Sequence, residues 1–191
     1  LPLPSEANGG GGLVNEYTLV MDILFPTASS DLPRAILDVD YTLINADAEF
    51  FVNADNGIGQ KDGSFGQIQP NTWHRIAFVA DVPEGRTRVD LRMYIDGTEV
   101  GVRSGVAAVD DRFALSPGGT AWLFWDNDGE TAVGYVNSLQ IWDEGLSKGQ
   151  VRALGGATAA GLPQRTAVKS ICRHSFSSDG VSTLMFGMQR R

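Results

Sequence analysis

Apolar side chains recur at every second position in several stretches of this chain, and at helical spacing in one. Tyr17, Leu19, Met21, Ile23 and Phe25 fall on one side of an extended segment, a period of two that predicts a strand with a buried face. Pro26 and the Ser29-Ser30-Asp31 cluster end it. Residues 34–40 and 49–53 read as two further strands, with turns at Asn56-Gly57 and Asp62-Gly63. Residues 72–80 are apolar on both faces, which predicts a central strand with Trp73 in the core. In residues 88–95, Val89, Leu91, Met93 and Ile95 point inward and Arg88, Asp90, Arg92 and Tyr94 outward. Asp96-Gly97 then turns the chain into a strand over 98–102, and an Asp-Gly pair between alternating runs is the strongest short-range hairpin signal. Residues 120–126 and 133–142 supply two more strands, the second with Asn137 on its apolar, odd-numbered face. Residues 147–154 predict the helix: Ser147 caps it, Gln150 occupies the capping-box position, and Gly155-Gly156 stops it.

About eight strands with turns every 8–12 residues and one short late helix predict an all-β sandwich or jelly roll. The 191 residues suit one domain, large enough to fold without a disulfide or metal. Residues 1–14, with glycines at 9–12, read as a flexible lead-in. Charge divides the chain. Residues 1–163 carry ten Lys/Arg against twenty-two Asp/Glu, whereas residues 164–191 carry five against Asp179 alone. An acidic body argues against a nucleic-acid partner, whose phosphates it would repel, and suits cation binding. Cys172 is the single cysteine, so no intrachain disulfide forms. No apolar run approaches the ~20 residues of a membrane span. The opening Leu1-Pro2-Leu3-Pro4 lacks the form of a signal peptide, as expected of a processed chain or of one that stays inside the cell.

Three stretches resemble laminin G-like domains of the concanavalin A-like lectin/glucanase superfamily. Thr72-Trp73-His74-Arg75-Ile76-Ala77 is similar to their WHxVA strand, and Tyr94-Ile95-Asp96-Gly97-Thr98-Glu99-Val100-Gly101 to their YxDGxxVG hairpin. The stretch from Gly134 to Trp142, followed by Leu146-Ser147 and Val151-Arg152-Ala153-Leu154, resembles their closing segment. The resemblance covers about residues 15–163 and looks closest to the bacterial version appended to secreted hydrolases, phosphoesterases among them. It implies a two-sheet antiparallel jelly roll, an extracytoplasmic location, frequent calcium, and glycan or cell-surface partners. It stops after Pro163, leaving residues 164–191 as a basic tail. The segment 182–188 in that tail is strand-like, and is expected either to fill an open sheet edge or to reach into a second copy and make a homodimer.

Two acidic sets carry the candidate chemistry. Asp126, Asp128 and Glu130 lie at alternate positions of a loop with Gly129, a pattern able to wrap a hard cation that wants six to eight oxygens. Calcium is the expected ion, with another divalent metal as the alternative; the bland reading is an acidic turn. Asp38 and Asp40 share one face of a strand, with Glu49 and Asn53 on a neighbouring strand and Asn45 and Asp47 in the loop between. That set could bind a cation, hold sugar hydroxyls or do acid/base work, and its bland reading is a wet sheet face. His74 has no second ligand in reach for a zinc set and no evident orienting partner. The ExDxxE strand of the superfamily's glucanases does not occur, nor do GxSxG, P-loop or HExxH motifs. No catalytic residue is therefore assigned. The expected function is a calcium-bearing module for a polysaccharide or glycoconjugate; the alternatives are a metal-dependent hydrolase and a structural docking domain of a larger secreted enzyme.

Overall fold

The computed structural model describes residues 3–39, 48–126, 128–163 and 170–173. Two antiparallel sheets face one another as a jelly-roll sandwich. The strands are β1 (Tyr17–Leu24), β2 (Arg34–Asp38), β3 (Phe50–Val52), β4 (Ile58–Gln60), β5 (Gly63–Phe65), β6 (His74–Asp81), β7 (Arg88–Ile95), β8 (Thr98–Ala108), β9 (Trp122–Leu123), β10 (Tyr135–Trp142) and β11 (Ser170–Arg173); the helix α1 is Lys148–Leu154. A six-stranded sheet runs β11-β10-β1-β6-β7-β8, and a five-stranded sheet runs β5-β4-β3-β2-β9.

Between the sheets, the odd residues of β1 meet Ile36, Phe50, Val52, Phe78, Leu91 and Met93. Phe50 stacks on Phe78 with ring centroids 4.3 Å apart. The even residues of β1 are equally buried. Val20 joins Ala77, Val79, Tyr94, Trp142, Leu146, Val151 and Leu162 in a second cluster beneath α1 and the closing segment. The six-stranded sheet is thus covered on both sides, so Tyr94 points outward as expected yet is buried, its hydroxyl donating to Glu99 Oε2 at 3.0 Å. Thr18 Oγ1 donates to the Glu144 carbonyl and accepts from the Leu146 amide, both at 2.9 Å. Asp22 takes the Arg75 guanidinium in a two-pronged pair at 2.7 and 2.9 Å. Arg75 also donates to the carbonyls of Leu154 and Gly161, which ties the covering segment to the sheet.

Local signals held where caps and turns are self-contained. Ser147 and Gln150 form a reciprocal capping box, and Gly155 ends α1 at φ 63°. Asp96 and Gly97 turn the β7–β8 hairpin at φ 50° and 76°. Three expectations need correction. Trp73 is 41% exposed rather than core, because β6 begins at His74, after the left-handed Asn71 reverses the chain. A register shift opposite Asp22/Ile23 lets β10 pair with β1 through Val136 and Ser138 but skip Asn137. Asn137 therefore leaves the apolar face, and its Nδ2 donates to the Thr158 carbonyl at 3.0 Å. The strand expected over 120–126 shrinks to Trp122–Leu123, since Phe124 takes a left-handed φ of 56°.

The glycine-rich lead-in makes specific contacts. Asp110 Oδ2 accepts from the Gly12 amide, and its Oδ1 from the amide of Leu13 and the side chain of Asn15. Tail residues do reach a sheet edge, with Ser170–Arg173 pairing Ser138 to Ile141 of β10. The segment expected there, 182–188, lies outside the described residues.

Candidate functional site

The loop after β9 leaves and rejoins the sheet at β2. The Phe124 amide donates to the Ile36 carbonyl at 3.3 Å, and the Ala35 amide donates to the Glu130 carbonyl at 2.8 Å. Between these pinch points the loop presents Asp126, Asp128 and Glu130, with one carboxylate oxygen of each within 4.8 Å of the others. Asp126 is buried. Its Oδ1 accepts from the Asp128 amide and its Oδ2 from the Ala48 amide, each at 3.1 Å. Lys61, from the β4–β5 turn, places Nζ 3.1 Å from Glu130 Oε2 and 3.6 Å from Asp128 Oδ2.

Protonation follows from this crowding. Burial pushes the Asp126 carboxyl up, while its side-chain hydrogen bond to Asp128 holds Asp128 below the usual carboxylate range. Burial also raises Glu130, against the opposing pull of Lys61.

The second acidic set is not a wet face. Asp38, Glu49 and Asn53 are all buried. Asp38 ends β2 opposite Trp122. Glu49 Oε2 accepts from the Val39 amide at 2.8 Å, and its Oε1 lies 3.7 Å from Arg112 Nε. Burial pushes this carboxyl up to about 8. Asn53 frames the β3–β4 hairpin, its Nδ2 donating to the Gln60 carbonyl while its own carbonyl accepts from Arg34. Asp40, Asn45 and Asp47 lie outside the described residues. The two acidic sets meet at Ala48: its amide donates to Asp126, and its carbonyl accepts from Arg112 at 3.3 Å.

His74 has an orienting partner after all. Nδ1 sits 2.7 Å from Asp96 Oδ2, and Nε2 accepts from the Gln69 amide at 2.9 Å. Both ring nitrogens are thereby engaged in holding the β6 entry, which leaves neither as a base.

Sequence reading missed Lys61, Arg112 and the side chains of Trp122 and Trp125. The tryptophans are 46% and 37% exposed, with ring centroids 5.6 Å apart and planes tilted by 40°. Three residues apart on a regular strand, they would face opposite ways. The left-handed turn at Phe124 instead sends Leu123 and Phe124 to the core and both indoles outward.

A family model described as the concanavalin A-like lectin/glucanases superfamily matches residues 25–152. The chain belongs to this laminin G-like family. Among solved structures, several share the fold at low identity. A heptameric SAP-like pentraxin from Limulus polyphemus is 18% identical over 80% of this chain and 79% of its own, with a TM-score of 0.53. A protein from Bacteroides ovatus, designated a candidate carbohydrate-binding protein, is 11% identical over 88% of this chain and 49% of its own, with a TM-score of 0.58. A Trypanosoma rangeli sialidase is 13% identical over 74% of this chain and 22% of its own, with a TM-score of 0.51. This chain therefore spans about half of the second protein and a fifth of the third. No curated protein matches its sequence. Among the described residues, no helix is long and apolar enough to cross a membrane.

Proposed function

We propose that this laminin G-like domain is an extracytoplasmic glycan-binding module that carries calcium in the loop after β9. The observation that carries the reading is the convergence of the Asp126, Asp128 and Glu130 oxygens within 4.8 Å at one sheet edge. The likeness in fold to a candidate carbohydrate-binding protein supports it. The residues fit a hard cation: all three donors are carboxylate oxygens that converge within 4.8 Å, a like-charge crowding that a cation would relieve. A bound calcium would supply positive charge to order the loop and to draw in ligand hydroxyls. The protein's own part is to fix the donors. Asp126 is held by two backbone amides, and the loop is pinned at both ends to β2.

Saturation with calcium at about 100 times its dissociation constant is expected to stabilise the fold by about 2.7 kcal/mol. The effect should weaken as pH falls through the raised titration of Asp126, because protons then compete for the same oxygens. Asp128→Asn should abolish the gain and leave the calcium-free melting curve in place, since Asp128 is half-exposed. Melting curves that coincide with calcium and with chelator would refute the metal. Against the hydrolase alternative, the most strongly raised carboxyl among the described residues is out of a substrate's reach. Glu49, the carboxyl raised to about 8, has a side chain only 4% exposed. Metal-dependent turnover of nitrophenyl glycosides or phosphodiesters, lost in Asp128→Asn, would reverse this ranking.

A further inference from the structure

We propose that Trp122 and Trp125 form a stacking platform for a neutral pyranose whose ring substituents are equatorial. The proposal rests on the glycan-binding reading and specifies which sugars it serves. Its first ground is geometric. The two exposed indoles lie 5.6 Å apart between centroids with planes tilted by 40°, Trp122 on β9 and Trp125 immediately before the acidic loop. Its second ground is strain. Phe124 is a bulky residue at φ 56°, where L side chains are uncommon and energetically unfavourable. Such outliers persist where the surrounding structure enforces them and concentrate at binding sites. Here the outlier ends β9 and brings two tryptophans to the same side.

The size of the patch selects the occupant. A tryptophan presents on the order of 250 Å² at most, so side chains 46% and 37% exposed offer roughly 200 Å² together. A stable protein partner needs about 800 Å², whereas one sugar ring needs far less. An aromatic face takes axial C–H bonds, so a pyranose with equatorial hydroxyls lies flat on it and turns its polar edge sideways. On the same loop, Asp128 can accept those hydroxyls, and Lys61, paired with it, can donate. The acidic body, with ten Lys/Arg against twenty-two Asp/Glu over residues 1–163, disfavours sulfated or uronic sugars through like-charge repulsion even with one calcium bound.

The test is titration of the intact chain, in calcium, with cellohexaose, a β-1,4-galactan oligomer and a sulfated heparin oligosaccharide. Calorimetry and tryptophan fluorescence are the readouts. The expected result is binding of a neutral oligomer with a blue-shifted indole emission, and at least a tenfold loss of affinity in both Trp122→Ala and Trp125→Ala. Both rings are substantially exposed, so the melting temperature of each variant should stay close to that of the parent; two variants guard against one failing to fold. If a neutral oligomer binds and both variants retain it within twofold, the platform is wrong and the glycan reading stands. Binding of the sulfated oligosaccharide alone would overturn the sugar class. If no member of the panel binds the parent chain, the platform and the glycan reading fall together.

Discussion

Asp22→Ala is expected to cost about 3–5 kcal/mol of stability, because it leaves the Arg75 guanidinium buried without its counter-charge. Asp22 is fully buried and Arg75 is 3% exposed, so water cannot take over. Arg75→Met should cost a similar amount, since it leaves the Asp22 carboxylate buried without its cation. The double variant Asp22→Leu with Arg75→Met should recover part of the loss without reaching the parent. The carbonyls of Leu154 and Gly161 would then lack the guanidinium that they now accept from, at about 1–3 kcal/mol each. Urea denaturation of the parent, Asp22→Leu, Arg75→Met and the double variant measures the coupling as a thermodynamic cycle. Additive effects would show that the pair is a bystander.

Glu49→Gln is expected to stabilise the protein at alkaline pH. Burial raises the folded-state pKa of Glu49 from the ordinary 4.5 to about 8. Between those values the folded chain binds more protons at this site than the unfolded chain does. Stability contributed here therefore falls as pH rises through that window, at up to about 1.4 kcal/mol per pH unit. Gln keeps an oxygen for the Val39 amide and has no charge to desolvate. The advantage of the variant should be near zero at pH 4, grow through neutrality, and level off at a few kcal/mol above pH 8. Denaturation midpoints at pH 4, 7 and 9 measure it. A pH-independent difference would mean that Glu49 is already satisfied as a carboxylate by Val39 and Arg112.

What the sequence disclosed, and what it hid, follows from the range of each signal. The β7–β8 hairpin and the α1 cap were legible because an Asp-Gly pair and a Ser-x-x-Gln box act within four residues. The outer face of β1 was not. Thr18 and Asp22 alternate with Tyr17, Leu19 and Met21 in the manner of a wet face, and their partners lie 53 to 128 residues away. The acidic loop was visible as a run of carboxylates. Its connection to the Asp38 and Glu49 set was hidden because it passes through the backbone of Ala48, whose side chain carries no signal. The tryptophan pair was hidden by Phe124, which takes a left-handed conformation with no glycine to announce it.

The position of β1 in its sheet has a consequence for how the chain folds. Its neighbours are β6 and β10, and the bond from Thr18 to Glu144 spans 126 residues. Contacts so far apart in sequence form slowly. The strand buried on both faces thus leaves the ribosome before its neighbours β6 and β10 and is among the last to be completed. Until β10 and the segment behind it arrive, β1 offers an apolar, half-paired edge of the kind that recruits chaperones or other copies of itself. The yield of this domain is therefore expected to depend on how quickly the stretch from Tyr135 to Leu162 follows.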